Sequence, residues 1–451
     1  MTEAVTGIAE EAIFNAVDAP IPAVPTSFEE VDIPRVVLDN LMLKILSAYP
    51  KSDAMELTRA IGLNSHLVDE ILADLKRKAL VEVFQADGAS PLHQSLGHVR
   101  FALSEAGMTA ADGCFAQDAY IGPAPVSAKQ YEEMVQAQDV RLNQISRSAV
   151  CSALSDVYGA ERIISLFGPA INSGRALLLY GDAGTGKTFV ASKILASLDS
   201  SVFIPYSVYA SGNIIKVMST QHHTVLDDGC HRDSVVFKEQ FDRRWARCSR
   251  PNIQVGGELT MDMLEVNHSG HNRVWLAPLQ MMANNGVLVI DDLGRQAMSV
   301  ERLLNRWIIP MEYCFDQFSL PNGQQMTIPF ILTLAFSTNL DPDVIGDPAF
   351  LRRLGYKIQF KPLEQHDYLA LWQEVAQKKA LVIDENTVTK LLSLHRQRGV
   401  SYYPCLPKDL VGISSDIIAF EEVASVITPE ILAKAWEVYF TAEKNEQGGA
   451  Q

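Results

Sequence analysis

One octapeptide decides the fold of this chain, and it reads Gly181-Asp182-Ala183-Gly184-Thr185-Gly186-Lys187-Thr188. An apolar run at residues 176–180 precedes it, and residues 189–195 behind it have the pattern of a helix. A buried strand, a glycine-rich turn and a helix N-terminus together place consecutive backbone N–H groups around a phosphate. The sequence therefore predicts an α/β domain with a parallel sheet and a phosphate-binding P-loop.

The residue types in the octapeptide indicate which phosphate compound it holds. Glycines permit positive φ and close approach of the backbone, and the dipole of the following helix adds partial positive charge. Lys187 is predicted to reach the β- and γ-phosphates, and the Thr188 hydroxyl is predicted to bind Mg²⁺. We therefore expect ATP and Mg²⁺ as cofactors, with all eight residues in contact with the nucleotide.

Composition bounds the class of protein. A length of 451 residues suffices for about three domains, and the net charge of −16 disfavours non-specific binding to nucleic acid or anionic membranes. The 6 cysteines are scattered without a CxxC pair, which is typical of reduced thiols. No apolar run approaches the roughly 18 residues of a membrane span, and the acidic N-terminus lacks a signal peptide's basic region. We expect a cytoplasmic protein without membrane insertion.

The N-terminal part is predicted to hold a tail, a small module and a linker. Residues 1–33 are rich in Ala, Pro and acids, without Lys or Arg, and are expected to form a disordered acidic tail. Residues 34–111 show three stretches of helical spacing followed by two strand-like stretches at 81–84 and 99–103, an order that resembles a winged helix. Closely spaced Pro and Gly predict a linker over residues 112–140.

The third predicted helix of this module indicates which class of partner the module binds. A DNA-reading helix normally carries basic side chains, whereas this stretch contains Asp69, Glu70 and Asp74. Lys and Arg occur only at residues 76–78, where they also suit a helix C-terminus. We therefore favour a protein-docking module, and sequence-specific DNA binding is the alternative.

A second apolar run, residues 286–290, ends in Asp291 and Asp292. A fully buried strand would deliver both carboxylates to the carboxyl edge of the sheet, where α/β proteins bind ligands. Asp291 is then placed to hold Mg²⁺ through water, and Asp292 to orient or deprotonate the attacking water. The alternative is that the two acids cap the next helix.

A third apolar run, residues 330–337, ends in Thr338 and Asn339, and at this point the chain resembles the AAA+ ATPases. The resemblance implies that Asn339 is the polar sensor residue that helps to position water. Residues 347–358 resemble the arginine-finger helix and following strand of that family, so Arg352 or Arg353 would reach the γ-phosphate of a neighbouring subunit. A surface salt bridge is the alternative for one of the pair.

The resemblance spans residues 140–443 and implies an ATPase core at 141–360 and a helical lid at 361–443, followed by a tail at 444–451. Four amphipathic helices are expected in the lid, where Lys408 stands at the second sensor position, which is usually Arg. By the same resemblance, Ile121 and Gly122 are candidates for contact with adenine, and a plain spacer is the alternative.

Two features place the resemblance nearest the MoxR/RuvB-like branch. Residues 313–320 and 325–328 alternate around Asn322-Gly323, a strong hairpin signal just before the sensor strand. Arg295 follows Asp291 and Asp292 as in that branch's acid-acid-x-x-Arg run. The implied protein is a homo-hexameric ATPase ring that remodels a macromolecular client, which we expect to be a protein. The alternatives are an ATP-controlled DNA-binding regulator and a slow ATP switch that only gathers partners.

Two further points limit these expectations. Most AAA+ ATPases carry Glu where this chain has Asp292, and a carboxylate withdrawn by roughly 1.5 Å can slow hydrolysis.

The sequence also predicts the second core strand at residues 202–204 and a long insertion before Asp291. Within the insertion, residues 256–260 and 272–276 are candidate pore loops, although Trp275 is equally suited to the core. Its remaining features are scattered histidines, which are expected at the surface rather than on a metal, and a basic patch at Arg243, Arg244, Arg247 and Arg250.

Overall fold

The computed structural model describes residues 20–85, 99–142, 145–193, 200–226, 241–268, 273–320, 323–345 and 348–441. Its N-terminal module contains α1 (Phe28–Val31), α2 (Arg35–Ala48), β1 (Ser52–Asp53), α3 (Ala54–Ile61), α4 (Ser65–Arg77), β2 (Val81–Gln85), β3 (Val99–Leu103) and α5 (Glu105–Gln117). The three strands form an antiparallel sheet in the order β1-β3-β2. Apolar faces of α2, α3 and α4 meet in one core, as their helical spacing predicts.

The predicted disordered tail is wrong for residues 20–33. The carbonyl oxygen of Pro22 accepts a hydrogen bond from the backbone of Asp242 at 2.9 Å, and that of Pro25 accepts one from the Asn64 side chain at 2.8 Å. Val31 and Ile33 are buried in the core of the N-terminal module. This segment is held because it satisfies buried donors of two other segments. Residues 1–19 and 444–451 lie outside the described residues.

The predicted linker at 112–140 is also wrong. The helix α5 continues to Gln117, and the segment then forms β4 (Val126–Ser127) and α6 (Ala128–Ala137). Ser127 and Gln130 make a capping box at the start of α6, and the Tyr131 hydroxyl donates to the Met281 carbonyl at 3.0 Å inside the protein. Prolines therefore mark turns of a packed segment here. Three elements follow it, namely α7 (Arg147–Ala153), α8 (Glu161–Ser173) and β5 (Leu177–Tyr180).

The middle of the chain is an inserted β-rich unit. It follows α9 (Lys187–Lys193) and contains β6 (Ser201–Pro205), β7 (Ser207–Ala210), β8 (Asn213–Lys216), β9 (Trp245–Ser249), β10 (Asn252–Val255), β11 (Asn267–His268), β12 (Trp275–Leu276) and α10 (Leu279–Met282). Five strands form a sheet in the order β11-β12-β8-β7-β4, and β6 pairs antiparallel with β9. The predicted second core strand at 202–204 is therefore wrong, because those residues belong to this antiparallel pair.

The next stretch completes the α/β core. It contains β13 (Val287–Ile290), α11 (Val300–Tyr313), β14 (Phe315–Ser319), β15 (Gln325–Pro329), β16 (Thr333–Thr338), α12 (Pro342–Ile345), α13 (Pro348–Leu351) and β17 (Tyr356–Gln359). The core sheet has the order β10-β13-β16-β5-β17, and all of its pairings are parallel. Every residue of β13 and β16 is buried, since alternate side chains enter two apolar clusters on opposite faces. The predicted α/β class with a parallel sheet is confirmed.

The hairpin predicted before the sensor strand is present as β14 and β15, which pair antiparallel from Phe315 to Pro329. Phe318 and Ile328 are buried in the apolar cluster of the inserted unit. Arg306 on α11 pairs with Asp316 at 2.7 Å and fixes the base of the hairpin. The hairpin is thus packed against the rest of the protein, a feature that its sequence signal does not reveal.

The C-terminal part contains the four expected helices. They are α14 (Gln365–Lys378), α15 (Glu385–Arg398), α16 (Cys405–Glu421) and α17 (Pro429–Thr441), with a short parallel pair formed by β18 (Val382–Ile383) and β19 (Val426–Ile427). Their apolar faces share one cluster that includes Tyr368, Trp372 and Trp436. None of the helices in the described ranges has the length and apolar character needed to cross a bilayer.

Candidate nucleotide-binding site

The P-loop connects β5 to α9, as the octapeptide predicts. Gly181, Gly184 and Gly186 have φ values of 135°, 78° and 89°, which side chains rarely tolerate. Lys187 Nζ lies 2.8 Å from the carbonyl oxygens of Gly181 and Asp182, so the ammonium is folded back over the loop. These contacts supply hydrogen-bond acceptors to the buried ammonium.

The electrostatics of Lys187 suit an anionic ligand. Burial lowers the pKa of its ammonium, and the nearby carboxylates of Asp291, Asp292 and Asp182 oppose that shift. A buried cation with a depressed pKa gains from an added negative charge, because the charged form is then better stabilised. Phosphate binding is therefore expected to strengthen the protonated state of Lys187.

The predicted metal residues are in direct contact. Thr188 Oγ1 lies 2.9 Å from Asp291 Oδ2 and 3.1 Å from Oδ1. Gln254, on the edge strand β10, donates to Asp291 Oδ2 at 3.0 Å. A hydroxyl and a carboxylate beside the phosphate loop match the sparse protein ligation of Mg²⁺, which keeps waters and phosphate oxygens in its shell. These residues fit the ion, and Gln254 is an orienting residue that motif reading did not find.

Asp292 sits in a constrained turn. Its φ is +49°, in the left-handed region, and its side chain is 46% exposed, with Arg295 at 3.9 Å. The buried side chain of Gln296 donates to the carbonyl oxygens of Asp291 and Asp292 at 2.9 and 3.3 Å. The turn after β13 therefore holds the carboxylate toward open space rather than capping α11, whose N-cap is Ser299.

Asn339 joins the same cluster from the neighbouring strand. β16 lies between β13 and β5, so its carboxyl end stands beside both the acids and the P-loop. Asn339 Oδ1 accepts a hydrogen bond from Lys187 Nζ at 2.8 Å. The P-loop, the acidic turn after β13 and the carboxyl end of β16 are far apart in sequence. They meet at one edge of the sheet because the carboxyl ends of parallel strands lie together.

The C-terminal helices close one side of the site. The first N–H of α16, at Cys405, donates to the Gly184 carbonyl at 3.3 Å, and Lys408 lies one turn further and lines the same cavity. A Cβ added to Gly184 would lie 2.4 Å from Cys405 Sγ, so glycine is required for this contact. The positive end of the α16 dipole and Lys408 both add positive charge near the phosphate loop.

A cavity of about 1120 Å³ extends from the P-loop between the core and the C-terminal helices. Outside the P-loop, its lining includes Val157, Tyr158, Leu371 and Val375, together with charged side chains such as Glu374. Apolar walls with a few polar groups suit a nucleobase. Ile121 and Gly122 are absent from the lining, so the structure gives no support to their predicted adenine contact.

The two candidate finger residues lie elsewhere. Arg352 and Arg353 precede β17 and therefore lie at the amino edge of the parallel sheet, opposite the P-loop. Arg352 is exposed, whereas Arg353 is partly buried and pairs with Glu312 at 3.0 Å. Neither lines the cavity of its own chain.

One histidine of the inserted unit lies in the interior of the protein. His223 is buried and uses both ring nitrogens on the backbone of Ser219 and Met282, at 3.0 and 2.9 Å. Its predicted surface position is wrong, and Cys230, His231 and His271 lie outside the described residues. In the described part of the chain, no group of three His, Cys, Asp or Glu side chains could hold a metal.

The predicted basic patch is not a helix face. Arg244 is buried and pairs with Asp242, and Arg250 donates to the Asn285 carbonyl at 2.7 Å. Burial lowers the pKa of Arg250 to about 10. In the candidate pore loops, the Gly256 carbonyl accepts a hydrogen bond from Gln296 at 3.3 Å, and Trp275 is partly buried and packs against the core of the unit.

Comparisons with known proteins cover parts of the chain. A family model described as a domain of unknown function (DUF8689) matches residues 364–438, within the C-terminal helices. Among curated proteins, no sequence matches this chain. The solved RuvB Holliday junction branch migration motor of Thermotoga maritima is 16% identical, with a TM-score of 0.33 over 65% of this chain and 70% of that one.

A second similar structure is NtrX from Brucella abortus, at 12% identity and a TM-score of 0.39, covering 63% of this chain and 57% of that one. Likeness at these scores is too weak to transfer any activity. The α/β P-loop fold of this chain is established by its own strand order and by the geometry around Lys187.

Proposed function

We propose that this chain is an AAA+ ATPase that binds ATP with Mg²⁺ and hydrolyses the β–γ phosphoanhydride bond. The observation that carries the proposal is a pair of contacts at the carboxyl edge of the sheet: Lys187 is hydrogen-bonded to Asn339, and Thr188 to Asp291. The four residues come from three separate segments, and each has the chemistry that phosphoryl transfer requires.

The side chains suggest a division of labour in hydrolysis. Lys187 exchanges the carbonyl oxygens of Gly181 and Asp182 for phosphate oxygens, which frees Asn339 Oδ1 to accept a hydrogen bond from water. Asp292, exposed and turned toward open space, accepts the proton of that water. Mg²⁺, where Thr188 and Asp291 hold it, supplies charge neutralisation for the phosphate oxygens.

We further propose that hydrolysis requires a second copy of the chain, arranged as a homo-hexameric ring. Arg352 is exposed at the amino edge of the sheet, opposite its own P-loop, so it could serve only a neighbour's nucleotide. Arg353 is less suited to this role because Glu312 holds it. An arginine supplied in this way stabilises the charge that develops on the transferred phosphate.

The client we propose is a protein or a protein assembly. The strand order of the N-terminal module supports the winged-helix likeness, but Lys78 pairs with Asp39 and Asp74 at 3.1 and 2.7 Å, and Arg77 pairs with Asp74. These bases are already neutralised, which favours protein docking over DNA recognition. The hairpin β14–β15 supports the MoxR/RuvB-like assignment, and its packing points to an anchoring role.

The test is ATP hydrolysis by the full chain, measured as phosphate release at steady state. Wild-type protein should release phosphate, Asp292→Asn should bind ATP without turnover, and Lys187→Ala should do neither. Full turnover by Asp292→Asn would remove Asp292 from the mechanism. A DNA-binding regulator predicts instead a salt-dependent DNA affinity that charge reversal at residues 76–78 abolishes.

A further inference from the structure

The P-loop of this chain carries a negative charge where it meets a triphosphate. Asp182 is the second residue of the octapeptide, and it is exposed beside Ala183, which lines the cavity. Its carboxylate is close enough to Lys187 to influence the pKa of that ammonium. A carboxylate in this position repels phosphate oxygens and competes for the same cation, so its orientation matters for binding.

The C-terminal helices supply a partner for this charge. The Tyr403 hydroxyl donates to Asp182 Oδ2 at 3.1 Å, across the gap between the C-terminal part and the P-loop. Burial and the contact with Asp182 both raise the pKa of the Tyr403 phenol, so it remains a hydrogen-bond donor around neutral pH.

Two further contacts belong to the same short segment. The Cys405 N–H donates to the Gly184 carbonyl at 3.3 Å, and Cys405 Sγ occupies the space that a side chain on Gly184 would fill. Lys408, which lines the cavity, follows within the first turn of α16. Tyr403, Cys405 and Lys408 thus approach the phosphate loop as one unit.

We propose that Tyr403 is a positioning residue that holds the Asp182 carboxylate away from the phosphates and thereby couples closure of the C-terminal helices to the shape of the P-loop. When the C-terminal helices are closed on the P-loop, Tyr403 holds the Asp182 carboxylate outward, and Lys187 is available to bind the phosphates. When the helices move away, the hydrogen bond breaks and the freed carboxylate opposes the nucleotide. This inference rests on the proposed ATP binding.

The test is a double-mutant cycle on the affinity of the full chain for a non-hydrolysable ATP analogue with Mg²⁺. Tyr403→Phe should weaken the affinity about tenfold, the range expected for a lost hydrogen bond to a charged acceptor. Asp182→Asn should bind at least as tightly as wild type, and Tyr403→Phe added to it should change the affinity less than about twofold. The matched control is Tyr402→Phe, whose hydroxyl faces Gln365 rather than the P-loop.

The affinity for adenosine, measured by competition, distinguishes a positioning role of Tyr403 from a general effect of the substitution on the fold. Since adenosine lacks phosphates, its affinity should be the same in wild type and in Tyr403→Phe. A tenfold loss that persists in the Asp182→Asn background, or an equal loss for adenosine, would overturn the inference. Wild type that binds no ATP would overturn the proposed function itself, whereas unchanged ATP binding in Tyr403→Phe would overturn only the role of Tyr403.

Discussion

Thr188 Oγ1 lies within hydrogen-bond distance of both carboxylate oxygens of Asp291, at 2.9 and 3.1 Å. Thr188 is the second residue of α9 and Asp291 directly follows β13, so the contact ties the P-loop to the neighbouring acidic turn. A hydroxyl and a carboxylate held this closely form a preorganised pair of oxygen ligands. Exchange of the hydrogen bond for a shared cation needs little movement of either backbone.

Removing the Thr188 hydroxyl should uncouple nucleotide binding from the metal. Thr188→Val keeps the shape of the side chain but loses the oxygen ligand, so ATP should still bind without Mg²⁺ while the gain from added Mg²⁺ falls at least about tenfold. Calorimetric titration with and without Mg²⁺ measures both quantities. An unchanged Mg²⁺ effect would show that Thr188 is not a ligand.

Gln254 should behave as an orienting residue for Asp291. It donates to Asp291 Oδ2 at 3.0 Å from the edge strand β10. Loss of such an outer partner typically costs about 10–100-fold in metal affinity or activity. We expect Gln254→Ala to raise the Mg²⁺ concentration needed for half-maximal hydrolysis by about tenfold. Asn252→Ala on the same strand is the control, and equal effects in both variants would contradict this role.

Asp292→Asn should stop turnover without harming the fold. Asn tolerates the left-handed backbone at φ +49°, so the turn is preserved while the base is lost. Loss of a general base typically slows the reaction about 10²–10⁴-fold. Single-turnover phosphate release measures the chemical step, and ATP affinity in the same variant should match wild type. Retention of more than a tenth of the rate would contradict proton transfer to Asp292.

Arg352, rather than Arg353, should act on a neighbouring subunit. Arg352→Ala should reduce hydrolysis about 10³-fold, the scale of a supplied arginine, and mixing it with Lys187→Ala should restore part of the activity. Wherever the P-loop of an Arg352→Ala subunit faces the arginine of a Lys187→Ala subunit, both groups of the shared site are intact. Arg353→Ala should instead lower thermal stability, because Glu312 loses its partner at 3.0 Å. Absence of rescue at every mixing ratio would contradict a shared site.

His223 should make the fold less stable in acid. Burial lowers its pKa from 6.5, and its Nδ1 accepts the Ser219 N–H at 3.0 Å, so the folded state requires a neutral ring. The stabilisation is therefore complete above the unfolded pKa and is lost as pH falls below it. His395, whose pKa burial also lowers, contributes in the same direction.

The free energy of unfolding, measured by urea titration at about pH 7.5 and about pH 5, checks this sign. Wild type should lose stability at the lower pH, and His223→Gln should lose less between the two values because one titrating group is gone. Equal losses in the two proteins would show that the ring is not the acid-sensitive group.

The sequence by itself was sufficient to predict those features that are built from residues adjacent in the chain. The P-loop, the acidic pair behind β13 and the Asn-Gly hairpin signal each depend on local backbone geometry, so their residues lie in the elements that the patterns predict. The same reasoning failed at residues 202–204, because two apolar strands have the same pattern whichever sheet they join. It also failed at residues 20–33 and 112–140, whose prolines suggested open chain although distant donors hold both segments.

The sequence by itself determined the P-loop and the strand and helix that flank it, since eight adjacent residues suffice to build the loop. Only the tertiary structure decided which edge strand lies beside Asp291, that Tyr403 reaches Asp182, and that Arg352 lies at the edge of the sheet opposite its own P-loop. These relationships depend on strand order and on packing between segments far apart in the chain. The periodicity of a local stretch of sequence predicts neither the strand order nor this packing.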